Sequence, residues 1–337
     1  MAQTAVKVAL VAATLALSSC IMPGDTAQPD DPRDLVLASP RPVPNPLLLS
    51  LPVRDVPLAT TEELTKQYDR FEARLVSQGS LRTDRGSLAS LTANDLATNF
   101  IRIALYDEYS PVDGQFVAQE TTSRLRRWEA PVELELRFGA SVSEAQQDRD
   151  HATVESLVME VATASGHPVS VTDEDGNFTV FVVNETERLA LRPDLLAIVP
   201  GMDRAILNTV LDILPSTLCL AVAFSDPQTP HVYRRVIALI RAEHPEILRT
   251  ACFHEEVAQG LGLANDSRAA RPSIFNDDEE FALLTVQDAL MLQMLYDDRL
   301  QPSMDVATAE PLVREIAEEL LGPQLASAEP EVLDLRE

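Results

Sequence analysis

The sequence predicts an α+β fold, a mixed sheet with helices packed on it, and three observations carry that prediction. Pro131 to Phe138 reads PVELELRF, with apolar residues at Val132, Leu134, Leu136 and Phe138. Strict period-two alternation is the pattern of a half-buried strand. Ser143 to Ser165 keeps Ala152, Val154, Leu157, Val158 and Val161 on one side of a long helix. Two apolar runs of strand length, Thr217–Phe224 (TLCLAVAF) and Val232–Ile240 (VYRRVIALI), stand directly before a helix that opens at His244-Pro245-Glu246, with Pro245 suited to its first helical position. The order strand, long helix, strand, strand, further strands, helix describes a mixed sheet with packed helices.

At the N-terminus, MAQTAVKVALVAATLALSSC places an apolar run from Val8 to Leu17 behind Lys7 and closes it with Ser18-Ser19-Cys20. Such a run is a secretion signal and is too short to span a bilayer. Pro23 to Pro57 is proline-rich and aperiodic, as an extended tether is. Thr60 to Gln78 is an amphipathic helix with Leu64, Tyr68, Phe71 and Leu75 on one side, Glu62 and Glu63 in its first turn, and Gly79 as its stop.

Thr92 caps a helix through Ala97, Phe100, Ile101 and Leu105. A loop containing Gly114 follows. Arg124, Arg126 and Arg127 beside Trp128, the only tryptophan, offer two readings, a ligand groove or, preferred here, a solvated lead-in to the PVELELRF strand paired with acidic neighbours. Gly166 ends the long helix. Pro168–Thr172 and Phe178–Val183 are strands, and Asp173-Glu174-Asp175-Gly176-Asn177 between them reads as a hairpin connection. Residues 187–215 are mixed, with a helix around Met202 to Ile213. The resulting organisation is a signal peptide over 1–19, a tether over 20–58, a helix and linker over 59–90, the main domain over 91–305, and a C-terminal helix and acidic tail over 306–337.

The net charge is −26 and 45% of the residues are hydrophobic. The first number argues against nucleic acid as a partner, since phosphates repel an acidic surface. The second gives about 317 post-signal residues enough apolar content for a core. There are three cysteines, Cys20, Cys219 and Cys252. With Cys20 at the signal boundary, the other two form an even pair, a disulfide candidate in an oxidising compartment or two buried thiols.

The chemistry is concentrated in CFHEEVAQGLGLANDS, Cys252 to Ser267. Glu255 and Gln259 are four apart on a helix and share a face. Glu256 is rotated by about 100° from Glu255. Gly262 permits a sharp turn, because glycine alone takes positive φ cheaply, and the turn swings Asn265 or Asp266 back toward the first two side chains. Two readings follow. In one, Glu255, Gln259 and Asn265 are a buried polar network that satisfies the turn. In the other, which the resemblance to zinc peptidases given below implies, Glu255, Gln259, Asn265 and Asp266 surround a divalent cation and Glu256 is a general base. The remaining histidines are scattered, and no other catalytic constellation is present.

The small-residue pair before Cys20 resembles the bacterial lipoprotein box, which implies lipidation at Cys20 and membrane attachment through that lipid. Ile21 in place of aspartate implies sorting to the outer membrane, facing the periplasm. From Glu255 to Asp297 the chain resembles the catalytic core of metzincin peptidases, the matrixin type in particular. The frame Glu255-Glu256-x-x-Gln259-x-x-Gly262-x-x-Asn265 matches their H-E-x-x-H-x-x-G-x-x-H with every histidine replaced. Asn265-Asp266-Ser267, Pro272, the turn Ser273–Asn276 and the helix opened by Leu284-Thr285-Val286-Gln287-Asp288 and ending in Leu295-Tyr296 continue the match; Thr285 caps that helix and Asp288, three residues on, is its capping partner. The methionine expected beneath a metal falls near Ile274 and is absent.

The chain also resembles a family of uncharacterised bacterial envelope lipoproteins, a domain of unknown function. Its signature Glu-Glu-x-x-Gln-x-x-Gly-Leu-x-Asn-Asp and following Ser-Ile-Phe-Asn-Asp are matched by Glu255–Asp266 and Ser273–Asp277. That resemblance covers residues 90–305. Together the resemblances imply a metzincin-like domain in the bacterial envelope, either a binder of a peptide or envelope protein partner or a peptidase-like hydrolase.

Overall fold

A computed structural model describes residues 36–39, 60–112, 115–276 and 278–325. The segment read as a signal peptide, Cys20, most of the segment read as a tether, Gly114, Asp277 and the acidic tail lie outside the described residues. Among the described residues no helix is long and apolar enough to cross a membrane.

The α+β expectation holds. In chain order the elements are β1 (Val36–Ser39), α1 (Thr61–Ser77), α2 (Ala93–Ala104), β2 (Tyr106–Val112), β3 (Gln115–Thr122), β4 (Arg127–Trp128), β5 (Val132–Phe138), α3 (Glu144–Ser165), β6 (Val169–Thr172) and β7 (Phe178–Val183). There follow α4 (Glu185–Ala190), α5 (Arg192–Ile198), α6 (Arg204–Leu211), β8 (Cys219–Asp226), β9 (Thr229–Arg241), α7 (Glu246–Leu261), α8 (Val286–Leu295) and α9 (Val306–Leu325). The main sheet runs β1-β8-β9-β7-β5-β6, with β4 also paired to β9. β5, β6, β7 and β9 are mutually parallel, whereas β8 is antiparallel to β9 and β1 antiparallel to β8.

The sheet is covered on both faces, which explains why its central strands read as unbroken apolar runs. On one face Cys219, Ala221, Ala223, Phe178, Val180, Val182, Val236, Ala238 and Ile240 join the main core with α2, α3, α7, α8 and α9. The intervening residues Leu220, Val222, Phe224, Phe181, Val183, Ile237 and Leu239 face a second core with α5 and α6. α1 packs Leu64, Tyr68 and Leu75 against Leu248 and Ala251 at the start of α7. α9 contributes Ala309, Val313, Ile316 and Leu321 to the main core.

Local capping signals appear where the sequence places them. Thr60, Thr92 and Ser143 are N-caps, and Gly166 closes α3 in the left-handed conformation. Four expectations need correction. β6 and β7 are not a hairpin; each pairs in parallel with β5, which lies between them. The chain crosses over β5 because Asn177 accepts from the Glu133 N–H at 2.8 Å and donates to Pro131 O at 2.8 Å. Gly176 makes this crossing feasible, since a Cβ there would sit 2.7 Å from the Glu133 carbonyl oxygen. The segment around Gly114 is not a plain loop but the two-stranded ladder β2-β3.

Arg126 and Arg127 are buried rather than solvated. Arg126 pairs with Asp107 at 2.6 Å and Arg127 donates to Leu295 O at 2.6 Å. Pro245 is the N-cap of α7, not its first helical residue.

Cys219 at the start of β8 and Cys252 on α7 form a disulfide, with their Cα atoms 5.8 Å apart. It staples the motif helix to the sheet. The bridge closes a loop across a sequence separation of 33, so the Cys219→Ser/Cys252→Ser variant is expected to lose about 3–4 kcal/mol of stability in denaturant unfolding. A loss below about 1 kcal/mol would contradict a stapling role for the bridge.

Candidate functional site

α7 is buried over most of its surface, including the polar side chains of Arg249, His254, Glu256 and Gln259. Each therefore needs a partner inside the fold. Arg249 donates to Asp150 of α3 at 2.8 Å and to the His244 carbonyl at 2.5 Å, which fixes the helix start. His254 turns away from the Glu255–Gln259 face and accepts the Leu284 N–H through Nδ1 at 3.2 Å. Burial, reinforced by the charge of Arg85, holds its imidazole neutral down to about 3. At the C-terminal end, the Gly260 carbonyl accepts from the Trp128 indole at 2.8 Å and the Leu261 carbonyl from the Tyr296 hydroxyl at 2.9 Å.

Gly262 makes the turn the sequence predicts. Its φ is +128°, and a Cβ there would lie 2.4 Å from the Arg126 carbonyl oxygen. Only glycine satisfies both constraints. The chain then pins to the end of α2, where the Asn265 N–H donates to Ile103 O at 3.0 Å. Downstream, the Ser267 N–H donates to Phe275 O at 2.7 Å. Asp288 holds this loop against α8: it accepts from the Ser273 hydroxyl at 2.5 Å, from the Ile274 N–H at 3.1 Å and from the Thr285 N–H at 2.8 Å. Burial pushes its carboxyl up to about 6. The sequence signals Asp288 only as a capping partner of Thr285; its grip on Ser273 depends on a fold-back that no local pattern announces.

The predicted cluster forms in part. The Gln259 amide nitrogen lies 3.4 Å from Glu255 Oε1 and 3.4 Å from Asp266 Oδ1, at the outer limit of hydrogen bonding. Glu255 and Asp266 are half-buried, Gln259 is 4% exposed, and Glu256 is fully buried beside them. Asn265 does not join: its amide nitrogen donates to Arg102 O at 2.8 Å. Among the described residues, the ligating atoms of Cys219, Glu255 and Glu256 lie within 4.8 Å of one another. Cys219 is committed to its disulfide, however, and supplies no thiolate.

These donors do not fit the tetrahedral zinc centre of a peptidase. No imidazole belongs to the group, Gln259 presents an N–H₂ toward the carboxylates, and Asn265 is anchored elsewhere. The arrangement is instead a carboxylate–amide–carboxylate bridge at the end of a pinned helix. The Gln259 and Asn265 side-chain oxygens are buried and have no hydrogen-bond partner among the described residues.

The buried neutral His254 makes stability pH-dependent. Its folded pKa lies below that of the unfolded chain. Its contribution is therefore present above about 6.5 and is lost as pH falls toward about 3. Asp288 acts in the opposite sense, its contribution being present below about 4 and lost as pH rises through about 6. His254→Asn keeps an acceptor for Leu284 and removes the titration. Between pH 7 and pH 4 the wild type is expected to lose on the order of 3 kcal/mol more than this variant in chemical denaturation. Parallel stability profiles for the two proteins would contradict a buried neutral histidine.

A family model described as "Protein of unknown function (DUF2927)" matches residues 93–315, from the start of α2 into α9, and the whole candidate site lies within it. No curated protein and no solved structure matches the chain. With about two thirds of its length under that model, the chain belongs to this family of proteins of unknown function.

Proposed function

We propose that this protein is a bacterial envelope lipoprotein. Its domain is a metzincin-like scaffold without peptidase chemistry that binds a peptide or an envelope protein partner. The observation that carries the non-catalytic reading is the direction of the two amides. Gln259 donates toward Glu255 and Asp266, and Asn265 donates to Arg102 O. In this arrangement both amide nitrogens are engaged by oxygens of the protein itself, as in a network that holds the turn. The scaffold half of the reading is supported by the parallel sheet with antiparallel β8 beside β9. The glycine turn after α7 and the Thr285 capping box of α8 agree with it.

A second reading is favoured by one observation, the proximity of the Glu255 and Glu256 carboxylates. It is a metal-dependent peptidase-like hydrolase with Glu255, Gln259 and Asp266 near a divalent cation and Glu256 as general base. Elemental analysis of protein purified without chelator or affinity metal separates the two. The non-catalytic reading expects substoichiometric metal, and an unchanged peptide-hydrolysis baseline in Glu256→Gln. Near-stoichiometric metal that disappears in Glu255→Ala, with turnover abolished in Glu256→Gln, would overturn it.

The membrane reading rests on Lys7, the apolar run Val8–Leu17 and Ser18-Ser19-Cys20. Cys20→Ala is expected to release the protein from the membrane fraction or to block its processing. Unchanged fractionation and an unchanged intact mass would contradict lipidation at Cys20.

A further inference from the structure

Beyond the central strands, β8 carries a partner from the far N-terminal part of the chain. Val36 faces Ser225, Leu37 faces Phe224 and Ser39 faces Ala223 in an antiparallel ladder, with a break in register between Leu37 and Ser39. This partner is four residues long. Twenty residues, 40–59, separate it from the first residue described in the body of the domain, Thr60. Prolines at 40, 42, 44 and 46 follow it directly, and proline cannot donate to a ladder. A strand this short, broken in register and stopped by proline makes few ladder bonds. β8, by contrast, is buried along its whole length and anchored by the Cys219–Cys252 bridge.

We propose that the outer edge of β8 is a strand-accepting site. Val36–Ser39 fills it in the resting chain, and an extended segment of a partner protein displaces that strand by pairing with β8. This rests on the partner-binding reading above and names its mode, β-strand addition, in which main-chain hydrogen bonds supply affinity. The chemistry of the incoming segment follows from direction and charge. The docked strand runs antiparallel to β8, so its C-terminal direction leads toward Cys219. The Cys219 Sγ lies 3.8 Å from Glu255 Oε2, at the acidic group of Glu255, Glu256 and Asp266. In the chain's own occupant, the apolar Val36-Leu37-Ala38 is followed by Arg41. The partner segment is accordingly a short apolar run followed by a basic residue.

Three forms of the full mature chain, each carrying Cys20→Ala, test this with a labelled synthetic peptide of residues 33–41. Leu37→Pro/Ala38→Pro removes a ladder donor whichever alternate N–H set faces β8. Ser39→Cys/Ala223→Cys, two small residues directly opposite one another, locks the strand in place by a disulfide. The peptide is expected to bind the undocked variant. It should bind the wild type about tenfold more weakly, since the tethered strand competes at an effective concentration of about a millimolar. The oxidised locked form should not bind it, and reduction should restore binding.

Replacing the peptide's final arginine by glutamate should weaken binding several-fold at low salt. Absence of binding to the undocked variant, or equal binding to all three forms, would overturn the proposal. A dimer of the wild type that the lock abolishes, without peptide binding, would also overturn it, in favour of strand exchange between copies. The partner-binding reading fails separately, by stoichiometric metal and Glu256-dependent turnover.

Discussion

The burial of α7 is the constraint on which the rest of the structure depends. Twelve of its sixteen residues are buried, and four of those carry polar or charged side chains. A helix buried on so many sides gains contact with β8, β9 and α3. It must also satisfy arginine, histidine, glutamate and glutamine away from water. The surrounding elements read as answers to that demand. α3 supplies Asp150 for Arg249, the segment before α8 supplies the Leu284 N–H for His254, and the end of α2 supplies the carbonyls that receive Asn265. Trp128 and Tyr296 reach the helix's C-terminal carbonyls, which would otherwise be orphaned.

The sheet determines where that helix lies. Parallel strands covered on both faces place the loops and the helix ends in predictable positions, and β8 reverses direction at the side where α7 begins. The Cys219–Cys252 bridge joins that strand to the helix three residues before Glu255. The acidic group lies at the disulfide, and the edge that β1 covers, Ala223–Ser225, lies further along the same strand. In this fold the motif is a structural joint, the role on which the proposed non-catalytic reading rests, and the proposed strand-accepting edge belongs to the strand that the disulfide ties to it.

Much of this was legible in the sequence because it is local. Thr60, Thr92, Ser143 and Thr285 announce helix starts through contacts within three residues. The i,i+4 spacing of Glu255 and Gln259 was enough to put them on one face, and Gly262 to bring either Asn265 or Asp266 back; the fold returns Asp266. What was not legible depends on distant partners. Asn265 points to Arg102 O, 163 residues earlier in the chain, so its spacing suggested a ligand where the fold made an anchor. β6 and β7 look like a hairpin because five turn-forming residues join them, yet β5 intervenes through pairings that only the tertiary fold establishes. Arg126 and Arg127 read as solvated because Asp107 and the Leu295 carbonyl lie on other elements. The ladder β2-β3 escaped because its strands lack alternation.

The central claim is that Glu255, Gln259 and Asp266 hold the turn as a protein–protein network and not through a bound ion. A double-mutant cycle on Gln259→Ala and Asp266→Ala, measured by denaturant unfolding with and without chelator, tests it most directly. The account predicts a coupling of about 0.5–2 kcal/mol that chelator leaves unchanged. A coupling that collapses when chelator is added would contradict it and would place a cation at the centre of the site.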